Sequence, residues 1–512
     1  MIAHQFEDMI NKRSSGVLLH ITSLPSTYGI GSLGEAAYRF VDFLVEAKQQ
    51  YWQILPLGTT GFANSPYNNF SVYAGNLYLI DLDLLVEDGL LEPGAPYHAD
   101  YGTDPSCVEY SAIYSHRALM FKWAYGAYVY KRLPEWQAAV DQFCKENEWI
   151  EDYAIFMAIK HSQKGLPWWD WPENLRSRKA SGVEEFCKNN KDAIDYQIFL
   201  QYIFFKQWFK LKDYAQERGV KIIGDMPFYV AEDSVELWSQ PELFETMETE
   251  QRICPSFVAG TPPDYFTDRG QLWGNPLYNW DYMAKDDYEW WYKRLKFQLK
   301  LYDYVRLDHF RAFDAYWAIP YGAASANEGE WRQGPKDKLF KRLLAEHRSL
   351  PLIAEDLSAV TDDVTELRQR LGLSGMAVLQ YAFNPNMTSP YLPHNIEADN
   401  VCYVGTHDND TVLGWCHRTM PIDLELARLY LGLNDREGYN WGMMRGAMIS
   451  GANTTILTMQ DLLNLDSSSR MNTPGTIGAN WQWRMREGDL TPQLIDKLKT
   501  LTLVSGRLPQ GG

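Results

Sequence analysis

Residues 305–313 read VRLDHFRAF. With Tyr304 in front, the apolar positions Val305, Leu307 and Phe310 describe a strand buried in a large fold. Yet Arg306, Asp308, His309 and Arg311 crowd into the same few positions. A charge buried without a partner costs several kcal/mol. The stretch therefore predicts a strand whose C-terminal end opens into a polar pocket.

Similar runs recur along the chain. They are GVLLHITSLP at 16–25, YWQILPL at 51–57, VKIIGDMPFYV at 220–230, PLIAEDL at 351–357, GMAVLQYAF at 375–383, VCYVGTHD at 401–408 and ILTMQDLL at 456–463. Helical stretches fall between them. One covers 33–48, where Ser32 and Glu35 have capping-box spacing and Phe40, Phe43, Leu44 and Ala47 share a face. A second covers 198–218 and closes at Gly219, and a third runs from Thr361 to Gly372. Continuous apolar strands alternating with helices predict a parallel α/β fold. Eight of them predict a (β/α)8 TIM barrel with large, mostly helical inserted subdomains. An open doubly wound sheet is the alternative, but neither G-x-G-x-x-G nor G-x-x-x-x-G-K-[ST] occurs. We read 1–512 as one catalytic barrel domain, with 80–220 as an inserted helical subdomain. The interval 231–303 is a second insertion, holding the loop-like AGTPPDYFTDRGQLWGNPLYNW at 259–280.

Composition narrows the classes of function. The chain has 512 residues, 46% hydrophobic and 22% charged, as ordinary globular proteins do. Its net charge of −18 argues against nucleic-acid or anionic-membrane partners. The six cysteines form no C-x-x-C pair and read as reduced thiols. MIAHQFEDMINKRSSG at the start has no apolar h-region, and no stretch reaches the ~18 apolar residues of a membrane span, so a cytoplasmic location is expected. Aromatic residues reach 14%, with 19 Trp and 32 Tyr, which suits a protein that stacks flat sugar faces.

Several strands end in acid: Asp225, Asp308, Glu355 with Asp356, and Asp408 with Asp410. In a barrel these ends converge on the face where active sites lie. Asp and Glu also follow strands as plain helix caps, so one such end says little. Three convergent ends, with His309 and His407 each beside a carboxylate, point to chemistry. Glycosidic-bond cleavage uses one carboxylate as nucleophile and one, proton-bearing, as acid. A third carboxylate can hold sugar hydroxyls. Arg306 shares a strand face with Asp308 and is expected to keep it ionised. Metal-dependent hydrolysis is a weaker reading, since H-x-H and H-E-x-x-H are absent and only two of the ten histidines join the cluster. A non-catalytic glycan-binding barrel is a third. No cofactor or metal is expected.

These motifs together resemble a known family. GVLLHITSLPSTYGIGSLG, WQILPLG, SPYNNFSVYAGN, IIGDMPFYVAEDSVELW, GTPPDYFTDRGQLWGNPLYNW, VRLDHFRAF, IAEDL, GMAVLQYAF, YVGTHDND and RMNTPGT with NWQWR are similar to the 4-α-glucanotransferases, or amylomaltases, of glycoside hydrolase family 77 in the α-amylase clan. The resemblance implies transfer of α-1,4-glucan segments to the 4-hydroxyl of glucose or another glucan. It implies Asp308 as nucleophile, Glu355 as general acid/base and Asp408 as transition-state stabiliser. It also implies Tyr67, Asp225, Arg306, His309 and His407 around the cleaved sugar, with Asp264, Tyr265, Phe266 and Trp273 on a mobile loop over the cleft. Ala312 and Ser358 stand where the family has Gly, and Phe62 where some members have Tyr, at a second glucan site. Oligomeric state is not legible.

Overall fold

The computed structural model describes residues 12–509 apart from 179, 250–251, 264–268 and 358–360, and the backbone alone of 62 and 180. All eight apolar runs form strands: β1 (Ser14–Leu18), β2 (Tyr51–Gln53), β3 (Lys221–Met226), β4 (Tyr304–Leu307), β5 (Leu352–Ala354), β6 (Met376–Val378), β7 (Val401–Tyr403) and β8 (Thr454–Thr458). They lie in the order β5-β4-β3-β2-β1-β8-β7-β6, and every neighbouring pair is parallel. One further parallel bridge, Ile353 to Ser374, links β5 to the start of β6, where the Ala354 N–H donates to the Ser374 carbonyl at 2.8 Å. The sheet thus closes into a (β/α)8 barrel.

Strand alternation sorts the side chains. Leu18, Tyr51, Ile223, Tyr304, Ile353, Met376, Val401, Tyr403 and Ile456 fill the barrel interior as one cluster. Val17, Trp52, Ile222, Val305, Leu307 and Leu352 point outward into the core shared with the helices. The strands are shorter than the apolar runs that announced them. The C-terminal part of each run leaves the sheet to build the rim.

Helix starts show where local reading falls short. The first barrel helix is Glu35–Glu46, burying Ala37, Phe40, Val41, Phe43 and Leu44, and its N-cap is Gly34 without a side-chain bond. The expected Ser32–Glu35 capping box is not formed. The Ser32 hydroxyl instead donates to Asp81 Oδ2 at 2.7 Å, while Asp81 Oδ1 caps Leu82–Glu87 by accepting from the Leu84 N–H. Asp81 lies so close to Gly34 that a Cβ there would meet its Oδ2 at 2.0 Å. The expected helix over 198–218 is longer, Lys191–Glu217, and Gly219 follows it with φ 76°. The helix Asp362–Arg370 begins after Thr361, whose side chain makes no capping bond.

The two insertions differ in kind. Within 80–220 the long elements are helices: Tyr110–Lys131, Pro134–Glu146, Trp149–Ser162, Ala180–Asn189 and Lys191–Glu217. The interval 231–303 is not mostly helical. It carries the hairpin Thr246–Glu248 with Ile253–Pro255, and the strands Phe257–Thr261 and Gln271–Pro276. Those last two join Ala315–Pro320 and Glu330–Gln333, from beyond β4, in a four-stranded antiparallel sheet. Trp168 and Trp171 are buried, as is Trp291 on the helix Glu289–Leu301. All six cysteines are free thiols, and no helix among the described residues is long and apolar enough to cross a membrane.

Candidate active site

The site begins with strand register. Asp225 on β3 pairs with Arg306 on β4, so both side chains point inward at the same level, one layer above Ile223 and Tyr304. Arg306 Nη1 donates to Asp225 Oδ1 and Oδ2 and to Asp308 Oδ1, each at 2.9 Å. The side chain of Asp225 is buried and that of Arg306 is 4% exposed, whereas that of Asp308 is 29% exposed. One guanidinium therefore anchors a buried carboxylate below and a cleft-facing one above. Burial lowers the proton affinity of Arg306, but Asp225 and Asp308 outweigh it and hold the pKa well above the usual value.

After β4 the chain turns sharply. His309 takes left-handed backbone angles at φ 51°, which few residues other than Gly, Asn, Asp or His tolerate. The turn aims the His309 N–H at Glu355 Oε2, 2.9 Å away, and the Leu357 N–H donates to Glu355 Oε1 at 3.0 Å. Glu355 leaves β5 with its own N–H on the Leu307 carbonyl at 3.0 Å. Two backbone donors thus fix the Glu355 carboxyl beside the turn that carries Asp308. The neighbouring carboxylate, Asp356, faces away into the scaffold, where it accepts from the Met376 N–H at 2.9 Å and lies 3.2 Å from Arg368 Nε.

Asp408 arrives from the loop after β7. The Asn472 side-chain amide donates to Asp408 Oδ1 at 2.7 Å, and the Asn472 N–H donates to the His407 carbonyl at 3.1 Å. Arg470 donates to the Asp408 carbonyl and, at 2.7 Å, to that of Asn472. Asp410, two residues on, is tied to Ser467 and Arg418 instead. Tyr67 closes the ring of contacts. Its hydroxyl donates to Asp225 Oδ2 at 2.8 Å and lies 2.8 Å from His407 Nε2. With the tyrosine proton committed to Asp225, the hydrogen of this second bond belongs to His407. The two rings are near parallel at 5.3 Å, and Trp481 packs against both.

Burial, together with Asp225, Glu355 and Asp408, pushes the Asp308 carboxyl up, to about 8, against the pull of Arg306. This corrects the expectation that Arg306 keeps Asp308 ionised. The guanidinium is shared with Asp225, and three other carboxylates crowd the same pocket. Burial depresses His309 to about 4 and moves His407 down as well, so both imidazoles are neutral near pH 7.

The structure brings together Tyr67, Asp225, Arg306, Asp308, His309, Glu355, His407 and Asp408. Trp273 also reaches the site, with its indole edge-on to the His309 ring at 4.9 Å and 86°. It does so from the strand Gln271–Pro276 and not from a loop. Asp264, Tyr265 and Phe266 lie outside the described residues, as do Ser358 and the side chain of Phe62. Asn472, Arg470 and Trp481 were not anticipated as part of the site. The only sequence signal for them was the RMN and NWQW pair of motifs.

An eight-stranded parallel barrel with acid side chains converging on its C-terminal rim defines a barrel enzyme, whose active site lies on that face. The chain matches the family described as 4-alpha-glucanotransferase, glycoside hydrolase family 77, over residues 19–491. It is 47% identical to the 4-alpha-glucanotransferase of Streptococcus pneumoniae over 504 residues, covering 98% of each chain. It is 43% identical to that of Thermus thermophilus over 508 residues, 97% of this chain and 99% of the other. Among solved structures, the amylomaltase from Streptococcus agalactiae in complex with acarbose superposes with a TM-score of 0.94 at 40% identity, over 97% of this chain and all of that one. The chain belongs to family 77 of the glycoside hydrolases, the 4-α-glucanotransferases.

Proposed function

We propose that this enzyme moves α-1,4-glucan segments from a donor chain to the 4-hydroxyl of glucose or another glucan, by a retaining double displacement. The observation that supports it most directly is the meeting of Asp308, Glu355 and Asp408 around the turn after β4, with Arg306 bridging Asp225 and Asp308. Asp308 attacks the anomeric carbon and forms the glycosyl-enzyme. Glu355 gives its proton to the departing glycosidic oxygen, then takes one from the incoming hydroxyl. Asp408, oriented by Asn472, holds sugar hydroxyls as the ring flattens toward the oxocarbenium-like transition state.

The high proton affinity of Asp308 has a place in this scheme. A carboxylate cluster that retains a proton near neutrality keeps an acid at hand for the first step. Arg306 then favours charge on Asp308. Transfer wins over hydrolysis when a stacked acceptor presents its hydroxyl in line at high effective concentration. Trp273, beside His309, is placed to stack it.

Purified protein given maltotriose alone tests the reading. Glucose plus oligosaccharides longer than the input are expected, and Asp308→Asn should abolish both. Glucose and maltose alone would instead show a hydrolase using the same carboxylates.

A further inference from the structure

Arg311 follows His309 by two residues, in the 3-10 turn Phe310–Phe313 that leads away from the site. Its guanidinium carbon sits 4.2 Å from the ring centroid of Trp331. Trp331 lies on Glu330–Gln333, an edge strand of the four-stranded sheet, in register with Trp317 on the next strand. The two indoles meet at 5.2 Å and 69°, and Trp317 Nε1 donates to the Ala326 carbonyl at 2.8 Å. Trp331 is nonetheless 44% exposed. With Arg311 over its ring and Trp317 packed at a steep angle beside it, Trp331 still leaves a large part of its surface open.

An indole fixed on two sides and open on the third is a ready-made stacking surface. Its rotamer is already chosen, so a flat ligand loses little side-chain freedom on binding. Its position names the ligand. The turn that carries Arg311 also carries His309, and the sheet that carries Trp331 also brings Trp273 to His309 at 4.9 Å. Trp273 stands on the opposite edge of that sheet, so the shelf adjoins the substrate cleft through the Arg311–His309 turn. The polymer that a glucan-transferring cleft holds is an α-glucan, whose sugar rings have apolar faces suited to an indole. Gln333, on the same strand face as Trp331, is exposed and within reach of sugar hydroxyls. A neutral glucan is also indifferent to the net charge of −18 that would repel a polyanion from Arg311.

We propose that Trp331, backed by Arg311 and braced by Trp317, is a glucan-stacking platform outside the catalytic cleft that holds the distal part of long α-glucan chains. The proposal rests on the glucan-transfer reading. Short substrates end before reaching the platform, so it governs long chains only.

Native gels containing amylose test it, using protein with Asp308→Asn so that the polymer is not consumed. Retardation is expected, and adding Trp331→Ala should weaken it roughly tenfold, the scale of one aromatic stacking contact. Trp331→Phe should recover part of the loss. In active enzyme, Trp331→Ala should raise KM for amylose several-fold and leave kcat/KM for maltotriose within about twofold, which also shows that the variant is folded. Equal retardation with and without Trp331 would overturn the platform, and so would an equal loss on maltotriose, which would place Trp331 in the support of the cleft. Conversion of maltotriose by the wild type reports separately on the glucan-transfer reading.

Discussion

Asn472 Nδ2 donates to Asp408 Oδ1 at 2.7 Å, joining residues 64 apart in the chain. The neighbouring His407 Nε2 lies 3.4 Å from the same oxygen, so the short bond that aims Asp408 comes from a segment beyond β8. Asn472→Ala should lower kcat about 10- to 100-fold, the scale set by slight misplacement of a reacting group. The melting temperature should change little, since Asn472 is not in the core. Asn472→Asp should bring like charge to Asp408 and move the acid limb of the rate profile upward. A kcat within twofold of wild type for Asn472→Ala would show that Asp408 is held in another way.

Asp308→Asn should remove activity and yet not destabilise the protein. The folded-state proton affinity of Asp308 is raised to about 8, whereas an unfolded aspartate titrates near ~3.9. Between these values the unfolded chain has released its proton and the folded chain has kept it. Stability therefore falls as pH rises across this window. The asparagine variant lacks that loss, so its melting temperature should exceed that of the wild type at pH 8 and converge with it toward pH 4. Parallel melting curves at every pH would contradict this assignment.

Removing Arg306 should have the opposite effect. Arg306→Met leaves the buried Asp225 carboxylate and the adjacent Asp308 without their cation, and breaking a buried pair in this way costs roughly 3–5 kcal/mol. Denaturant titration measures it. Arg306→Lys should recover much of the stability, because a single nitrogen, Nη1, makes all three bonds. A Met variant as stable as the wild type would mean that the carboxylates are protonated or solvated without the arginine.

Trp273 bears on the partition between acceptor and water. Trp273 is 36% exposed and stands at right angles to the His309 ring, at the edge of the site. Trp273→Ala should raise the ratio of hydrolysis to transfer on maltotriose, read as reducing ends formed per glucose released. An unchanged ratio would make Trp273 a packing residue.

The barrel was legible because its signal is local. Each of the eight strands is an apolar run of its own, and the acid that ends β4 or follows β5 lies within a few residues of it. What escaped reading is long-range. Ser32 carries the spacing of a helix cap but bonds to Asp81 instead. The stretch 259–280 looks like a loop because the strand that completes the sheet with Phe257–Thr261, Ala315–Pro320, lies beyond β4. Glu355 and Asp356, or Asp408 and Asp410, are equivalent by type and position until Arg368 and Arg418 claim one of each pair. Asn472 has no acid or histidine to mark it.

The single bridge between β5 and β6 also has a mechanical meaning. A ring stitched at seven seams and merely tacked at the eighth gives first at the tack. Glu355 leaves its strand beside that tack, one residue past the Ala354 N–H that reaches Ser374. In the proposed mechanism the residue that surrenders and reclaims a proton is thus mounted where the frame is least stitched, while Asp308 directly follows β4, a strand laddered on both sides. Hydrogen exchange should register this as earlier labelling of the Ala354 amide than of Val305.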